Sequence, residues 1–181
     1  METVDVHKYE PSEGVEIYMK NGDLHRDGDQ PAVITRTGDM HWYRNGRRHR
    51  GFDLPAVVRS NGEMEWWDDG FKHREGDAPA IVSSIQSEWR KHGLLHRDND
   101  EPAVVGNDGV KLWFRNGMRH RDGDKPAVVT SNAVEWYQFD HRHRETRDSE
   151  GLLNPAVINE KDQWIKYWLM GVQVDRDGNT V

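Results

Sequence analysis

The chain has 181 residues, with 25 Lys and Arg against 32 Asp and Glu, for a net charge of −7. No run of about 18 apolar residues is present for a membrane helix, residues 1–10 lack the apolar stretch of a signal peptide, and with no cysteine there can be no disulfide or thiolate metal site. Leu, Ile, Val and Phe total only 35 residues, close to a disordered composition, but eight Trp and a small net charge per residue point to a packed fold.

Residues 1–14 read as an N-terminal cap or tail, and residues 15–181 as one β-repeat domain of six to seven units. His-Arg recurs at 25–26, 49–50, 73–74, 96–97, 120–121 and 143–144, in steps of 24, 24, 23, 24 and 23. Pro-Ala follows at 31–32, 55–56, 79–80, 102–103, 126–127 and 155–156. Asp29, Asp53, Asp77, Asp100 and Asp124 each lie three residues after the Arg. The unit is therefore H-R-x-x-D-x-P-A, two aliphatics, a turn, and Trp. Trp42, Trp66, Trp89, Trp113 and Trp136 lie seven residues before the next His, and Tyr18 and Tyr167 fill that slot near the ends. A fixed self-similarity of this kind marks a repeat architecture.

Between Trp and His lie Asn45-Gly46, Asp69-Gly70, His92-Gly93 and Asn116-Gly117. Asn-Gly and Asp-Gly predict two-residue type I′ hairpins, because both central residues need positive φ. Trp42 should then face His49, Trp66 His73, and Trp113 His120. A second hairpin precedes each Trp. Read as two-residue turns, Thr37-Gly38, Asn61-Gly62 and Asp108-Gly109 pair Val33 with Trp42, Val57 with Trp66 and Val104 with Trp113. Each unit is thus predicted as three strands carrying Pro-Ala-aliphatic, Trp and His-Arg in turn, in an all-β chain of about 24-residue β-meander repeats.

A propeller blade needs roughly 40–50 residues, so an open twisted sheet or β-solenoid is expected. From His143 to Pro155 the spacing is 12 instead of six, an insertion within 145–154. It reads either as a loop on a binding face or as drift near a terminus.

The recurring residues read first as architecture. The Pro-Ala-aliphatic strand and the Trp form the core. The His column packs on Trp, and the Arg and Asp of R-x-x-D pair around one turn. One His per unit is too few for a metal, which wants three or four ligands. No nucleophile recurs beside the His, so no catalytic residue, metal or cofactor is assigned. On the opposite face from Trp and His, Tyr43 and Arg48, Trp67 and Lys72, Phe114 and Arg119, and Tyr137 and Arg142 form an aromatic–cation stripe. It reads as cross-strand stabilisation or as a protein-partner surface. The acidic balance speaks against nucleic acid as the partner.

The strings NGDLHRDGDQPAVI, NGRRHRGFDLPAVV and NGMRHRDGDKPAVV resemble the NG-x-x-HR-x-G-D-x-PA hairpin repeats, described as MORN-like, of proteins from large DNA viruses and some phages. The likeness spans about residues 16 to 176. It departs from the short MORN pattern Y-x-G-x-x-x-x-G in unit length and in its His-Arg-Asp-Pro-Ala core, so no lipid-binding role is carried over. The resemblance implies a non-enzymatic interaction or structural scaffold, placed in the host cytoplasm or the virion. A binder of small ligands or glycans in aromatic grooves, and a hydrolase using the His column, are the alternatives.

Overall fold

The computed structural model describes residues 7–181; residues 1–6 of the expected cap lie outside the described residues. The described chain is all-β, without a helix, and its strands are two to six residues long. It forms two compact units that meet in sequence between Gly93 and Leu94.

In the first unit His7–Tyr9, Glu16–Lys20, Val33–Ile34, Met40–His41, Val57–Val58, Met64–Glu65, Ile81–Val82 and Gln86–Glu88 lie side by side in sequence order. In the second the order is Val104–Gly106, Lys111–Leu112, Val128–Val129, Ala133–Glu135, Val157–Asn159, Trp164–Leu169 and Val172–Val174. The pairings within these paths are antiparallel, and neither path closes on itself. His7–Tyr9, inside the expected cap, pairs with Glu16–Lys20.

Trp42, Trp66, Trp89, Trp113 and Trp136 each interrupt their strand, so the expected three strands per repeat become four. The Trp42 N–H donates to the Ala56 carbonyl of the next repeat (2.8 Å), while the Trp42 carbonyl accepts from His49 N–H (3.2 Å). Before Trp the chain is bonded to neighbouring repeats. After Trp it forms its own two-stranded arm, such as Tyr43–Arg44 with Arg47–Arg48. The type I′ turn expected there is present, with φ of 49° at Asn45 and 76° at Gly46.

The hairpin before Trp differs from expectation by one residue. Val33 pairs with His41, Val57 with Glu65 and Val104 with Leu112, not with Trp42, Trp66 and Trp113. These turns are three-residue loops. Arg59 N–H bonds to the Glu63 carbonyl and Gly62 N–H to the Arg59 carbonyl, and Gly62 is left-handed (φ 86°) whereas Asn61 is not. A type I turn followed by a left-handed Gly produces this register. Where the repeat is one residue shorter, a two-residue turn closed by a Ser83 or Thr130 hydroxyl keeps the same alignment, with Ile81 opposite Glu88 and Val128 opposite Glu135. The loop absorbs the length change and the ladder stays in step.

The core is thin. It consists of the Ala of Pro-Ala, the aliphatic residue after it, and Trp. Ala32, Ala56 and Ala80 in the first unit, and Ala103, Ala127 and Ala156 in the second, have no exposed surface. The insertion is packed down: Leu153 is buried, its N–H bonds to the Arg176 carbonyl, and Arg176 Nη2 lies 2.6 Å from Asp148.

The turn assignment has a direct check. At Gly38 (φ 85°) a methyl group meets no atom within 4 Å, so Gly38→Ala should cost only the left-handed backbone penalty, about 1 kcal/mol. Thr37→Gly, at ordinary φ, should bring no gain in urea denaturation. A gain of about 1 kcal/mol from Thr37→Gly would indicate a two-residue turn, in which both central residues need positive φ. Ala80→Leu should cost about 1–3 kcal/mol, because the site has no room for a larger side chain.

Candidate functional site

The Arg of each His-Arg pair is the most heavily used side chain. The Arg50 guanidinium lies 3.8 Å from the centre of the Trp42 ring, those of Arg74 and Arg121 3.9 Å from Trp66 and Trp113, and that of Arg144 4.0 Å from Trp136. The same guanidinium donates through Nη1 to the Pro carbonyl of its own repeat, at Pro55, Pro126 and Pro155. Its Nε and Nη2 form a fork onto an Asp. That Asp belongs to the preceding repeat: Arg50 takes Asp29, Arg74 Asp53, Arg121 Asp100 and Arg144 Asp124, at 2.6–3.1 Å. The expected pair within one R-x-x-D turn is therefore replaced by a pair between successive repeats. In that arrangement the planar fork can meet both carboxylate oxygens while its face stays on the indole.

The indole is held as well. Trp42, Trp66 and Trp113 donate their Nε1–H to the carbonyls of Asp29, Asp53 and Asp100. Arg, not His, covers each ring, which corrects the expected His-on-Trp packing. The guanidinium contributes both a cation–π contact and hydrogen bonds, whereas imidazole would contribute less of each.

The His joins repeats by a different route. Nδ1 of His25, His96 and His143 accepts the backbone N–H of Asn45, Asn116 and Met170, the first turn residue of the following arm, at 3.1–3.2 Å. Nε2 faces an acid two residues on: Asp27, Glu75, Asp98 and Asp122 at 2.9–3.1 Å. The acceptor role of Nδ1 places the proton on Nε2.

The stripe residues are paired as expected: Tyr43 with Arg48, Trp67 with Lys72, Phe114 with Arg119, and Tyr137 with Arg142. They also interleave between repeats. Arg48 reaches Trp67 at 5.0 Å, Arg119 reaches Tyr137 at 4.3 Å and Arg142 reaches Trp168 at 5.5 Å. Tyr137 is buried and the other seven are half-buried. Phe71, Leu94 and Met118, next to the stripe on the arm strands, are exposed.

A buried carboxylate stands behind the stripe and has no counterpart in the expected set. Glu65, 2% exposed, accepts from Trp67 Nε1 (2.7 Å) and Arg59 Nη2 (2.8 Å), with Lys72 Nζ at 3.5 Å. Burial pushes its carboxyl up, but Arg59, Lys72 and Trp67 outweigh burial and lower it. Glu135 accepts from Tyr137 and Arg142 in the same way. The recurring Glu-Trp pairs at 65–66, 88–89 and 135–136 were the sequence signal for this.

Compared with protein-family models and with curated proteins, the chain matches none. Its chemistry is therefore read from these contacts. Among the described residues no group of three His, Asp or Glu is placed to hold a metal ion, and no helix is long and apolar enough to cross a membrane.

The ladder aspartates titrate low. Arg hydrogen bonds hold Asp29, Asp53 and Asp124 below the ordinary carboxyl range, and Arg121 with Lys125 lowers Asp100 to about 2. A folded-state pKa below the unfolded value of about 3.9 stabilises the fold fully above about pH 4 and loses that contribution as pH falls through about 2. The urea midpoint should therefore decline from about pH 5 to about pH 2, and Asp100→Asn should flatten part of the decline. Removing the carboxylate in Glu65→Ala leaves Lys72 and Trp67 Nε1 without their acceptor and Arg59 with Glu63 alone, and should cost about 3 kcal/mol in the same assay.

Proposed function

We propose that the chain is a non-enzymatic repeat scaffold that binds a protein partner along its hairpin arms. The observation that carries this reading is the use made of the recurring polar residues. Arg50, Arg121 and Arg144 are each committed to Trp, Pro and Asp, and the His25, His96 and His143 rings to a backbone N–H and an acid. Side chains so engaged are poor general bases, because they would have to leave their structural partners to act. The guanidinium on each indole also covers the face on which a sugar would stack, which favours the scaffold reading over a glycan binder.

Within each unit the half-buried stripe residues support the partner surface from beneath, with the exposed Phe71 of the first unit and Met118 of the second as contact residues. Aromatic and Met side chains next to Arg are typical interface anchors. If the resemblance to viral hairpin-repeat proteins holds, the setting is the host cytoplasm or the virion.

The test is affinity capture followed by mass spectrometry, using Phe71→Ser and Met118→Ser. Both sites are exposed, so unfolding free energy should stay within about 0.5 kcal/mol of the parent. Capture of the partner should fall at least tenfold. Undiminished capture by both variants would overturn the arm surface as the binding face.

A further inference from the structure

The chain contains Asn-Gly at 21–22, 45–46, 61–62 and 116–117. Three of these are arm turns in which both residues are left-handed. The φ values are 54° and 83° at Asn21 and Gly22, 49° and 76° at Asn45 and Gly46, and 49° and 85° at Asn116 and Gly117. The three turns share one backbone conformation and differ in what holds them.

The turns at 45–46 and 116–117 are each tied to the arm before them by two hydrogen bonds. Asn45 N–H donates to His25 Nδ1 (3.1 Å) and Gly46 N–H to the Leu24 carbonyl (3.0 Å). Asn116 N–H donates to His96 Nδ1 (3.1 Å) and Gly117 N–H to the Leu95 carbonyl (2.9 Å). At 21–22 both anchors are missing: among the described residues nothing accepts the N–H of Asn21 or of Gly22, and both residues are exposed. The fourth Asn-Gly lies in a loop and is held by other bonds. Gly62 N–H donates to the Arg59 carbonyl (2.9 Å), and Asn61 Oδ1 accepts from Glu63 N–H (3.0 Å).

An Asn followed by Gly readily loses its side-chain amide, because no side chain hinders the Gly nitrogen. That nitrogen gives its proton to water and attacks Cγ of the Asn. A C–N bond forms, the side-chain amide leaves as ammonia, and a five-membered cyclic imide results. Water then opens the ring at either carbonyl. One opening gives Asp; the other gives isoaspartate, whose backbone runs through the former side chain. The ring requires a ψ outside the left-handed well, so the turn has to open before it can close. The rate therefore follows the ease of local opening.

We propose that Asn21 is a site of spontaneous modification, converted to aspartate and isoaspartate well ahead of Asn45, Asn61 and Asn116. Either product adds one negative charge, taking the net charge from −7 to −8. Isoaspartate also adds a backbone carbon between Lys20 and Asp23, whose pairing depends on a two-residue turn. The first arm then loses its register, and Lys20 is displaced from Asp27, which it holds at 3.0 Å. The site stands whether or not the arm surface binds a partner.

The test is to incubate the full chain at neutral pH and body temperature and to follow each Asn-Gly peptide by chromatography and mass spectrometry. Asn21 should convert at least about tenfold faster than Asn45 and Asn116, each of which keeps two anchoring hydrogen bonds. Unfolded in urea, the chain should convert all four at closely similar rates, because Gly follows each. His96→Ala removes one anchor of Asn116 and should speed its conversion severalfold while Asn45 keeps its rate; His25→Ala should do the reverse. Conversion of Asn21 no faster than that of Asn45 and Asn116, or the same ranking in urea as in the folded chain, would overturn the site. Unchanged rates at Asn116 in His96→Ala and at Asn45 in His25→Ala would overturn the role of the anchors. A variant that fails to fold would convert all its Asn-Gly pairs at the urea rates, and the parent chain and the other variant then decide.

Discussion

The structure depends on the placement of one guanidinium. In a repeat about 24 residues long, with strands mostly of two or three residues, burial alone cannot hold successive turns of chain together. The core offers an Ala, one aliphatic residue and one Trp per repeat. The Arg after each His adds a planar group that contacts three other elements at once: the indole beneath it, a Pro carbonyl ahead of it, and an Asp carboxylate from the repeat before it. An exposed ion pair by itself contributes about 0–1 kcal/mol. Here the guanidinium is already fixed by stacking and by the Pro carbonyl, so little side-chain freedom remains to be lost when the Asp is engaged. Repeating the contact makes the repeats cooperative, as nearest-neighbour coupling does in other repeat proteins.

The His works on the other side of the junction. By accepting the N–H of the next arm's turn it satisfies a backbone donor, and its own Nε2–H is satisfied by a nearby acid. Arg ties a repeat to the one before it and His ties it to the one after. The adjacent pair His-Arg is therefore a two-way connector, and this accounts for its near-invariance from unit to unit within the chain.

Much of this was legible in the sequence, and the part that was not has physical causes. The period, the all-β class, the arm hairpins and the stripe pairings follow from Asn-Gly turns and alternation, both of which are local. Asn61-Gly62 misleads because the same dipeptide also suits a three-residue loop in which only the Gly is left-handed; the dipeptide alone does not separate the two. The partner of Asp29 was misread for another reason. Arg26 lies three residues away and Arg50 lies 21, so sequence distance favours the wrong one. Only the stacking of repeats brings Arg50 Nε to 2.8 Å. The signal for Glu65 is weak, because Glu precedes the repeat Trp only at 65–66, 88–89 and 135–136 in a chain with 32 acids, and its burial follows only from the stacking of repeats.

A repeat protein also carries its own controls. Where several copies of one local structure coexist, a departure in one copy can be judged against the others in the same molecule. Phe139 replaces the Asn of an Asn-Gly turn and stacks on His120 at 4.2 Å, so that substitution has an internal contact to compensate it. Phe52 is different: it is left-handed at φ 58° and 92% exposed where other repeats hold Gly28, Gly76 and Gly123, so its ring adds backbone strain that burial does not offset. At the neighbouring Gly51 the acid of the other repeats is absent, yet His49 keeps a carboxylate, because Asp68 Oδ1 of the following arm lies 3.0 Å from its Nδ1. The two departures are adjacent in sequence, but only the loss of the acid is made good by a neighbouring repeat.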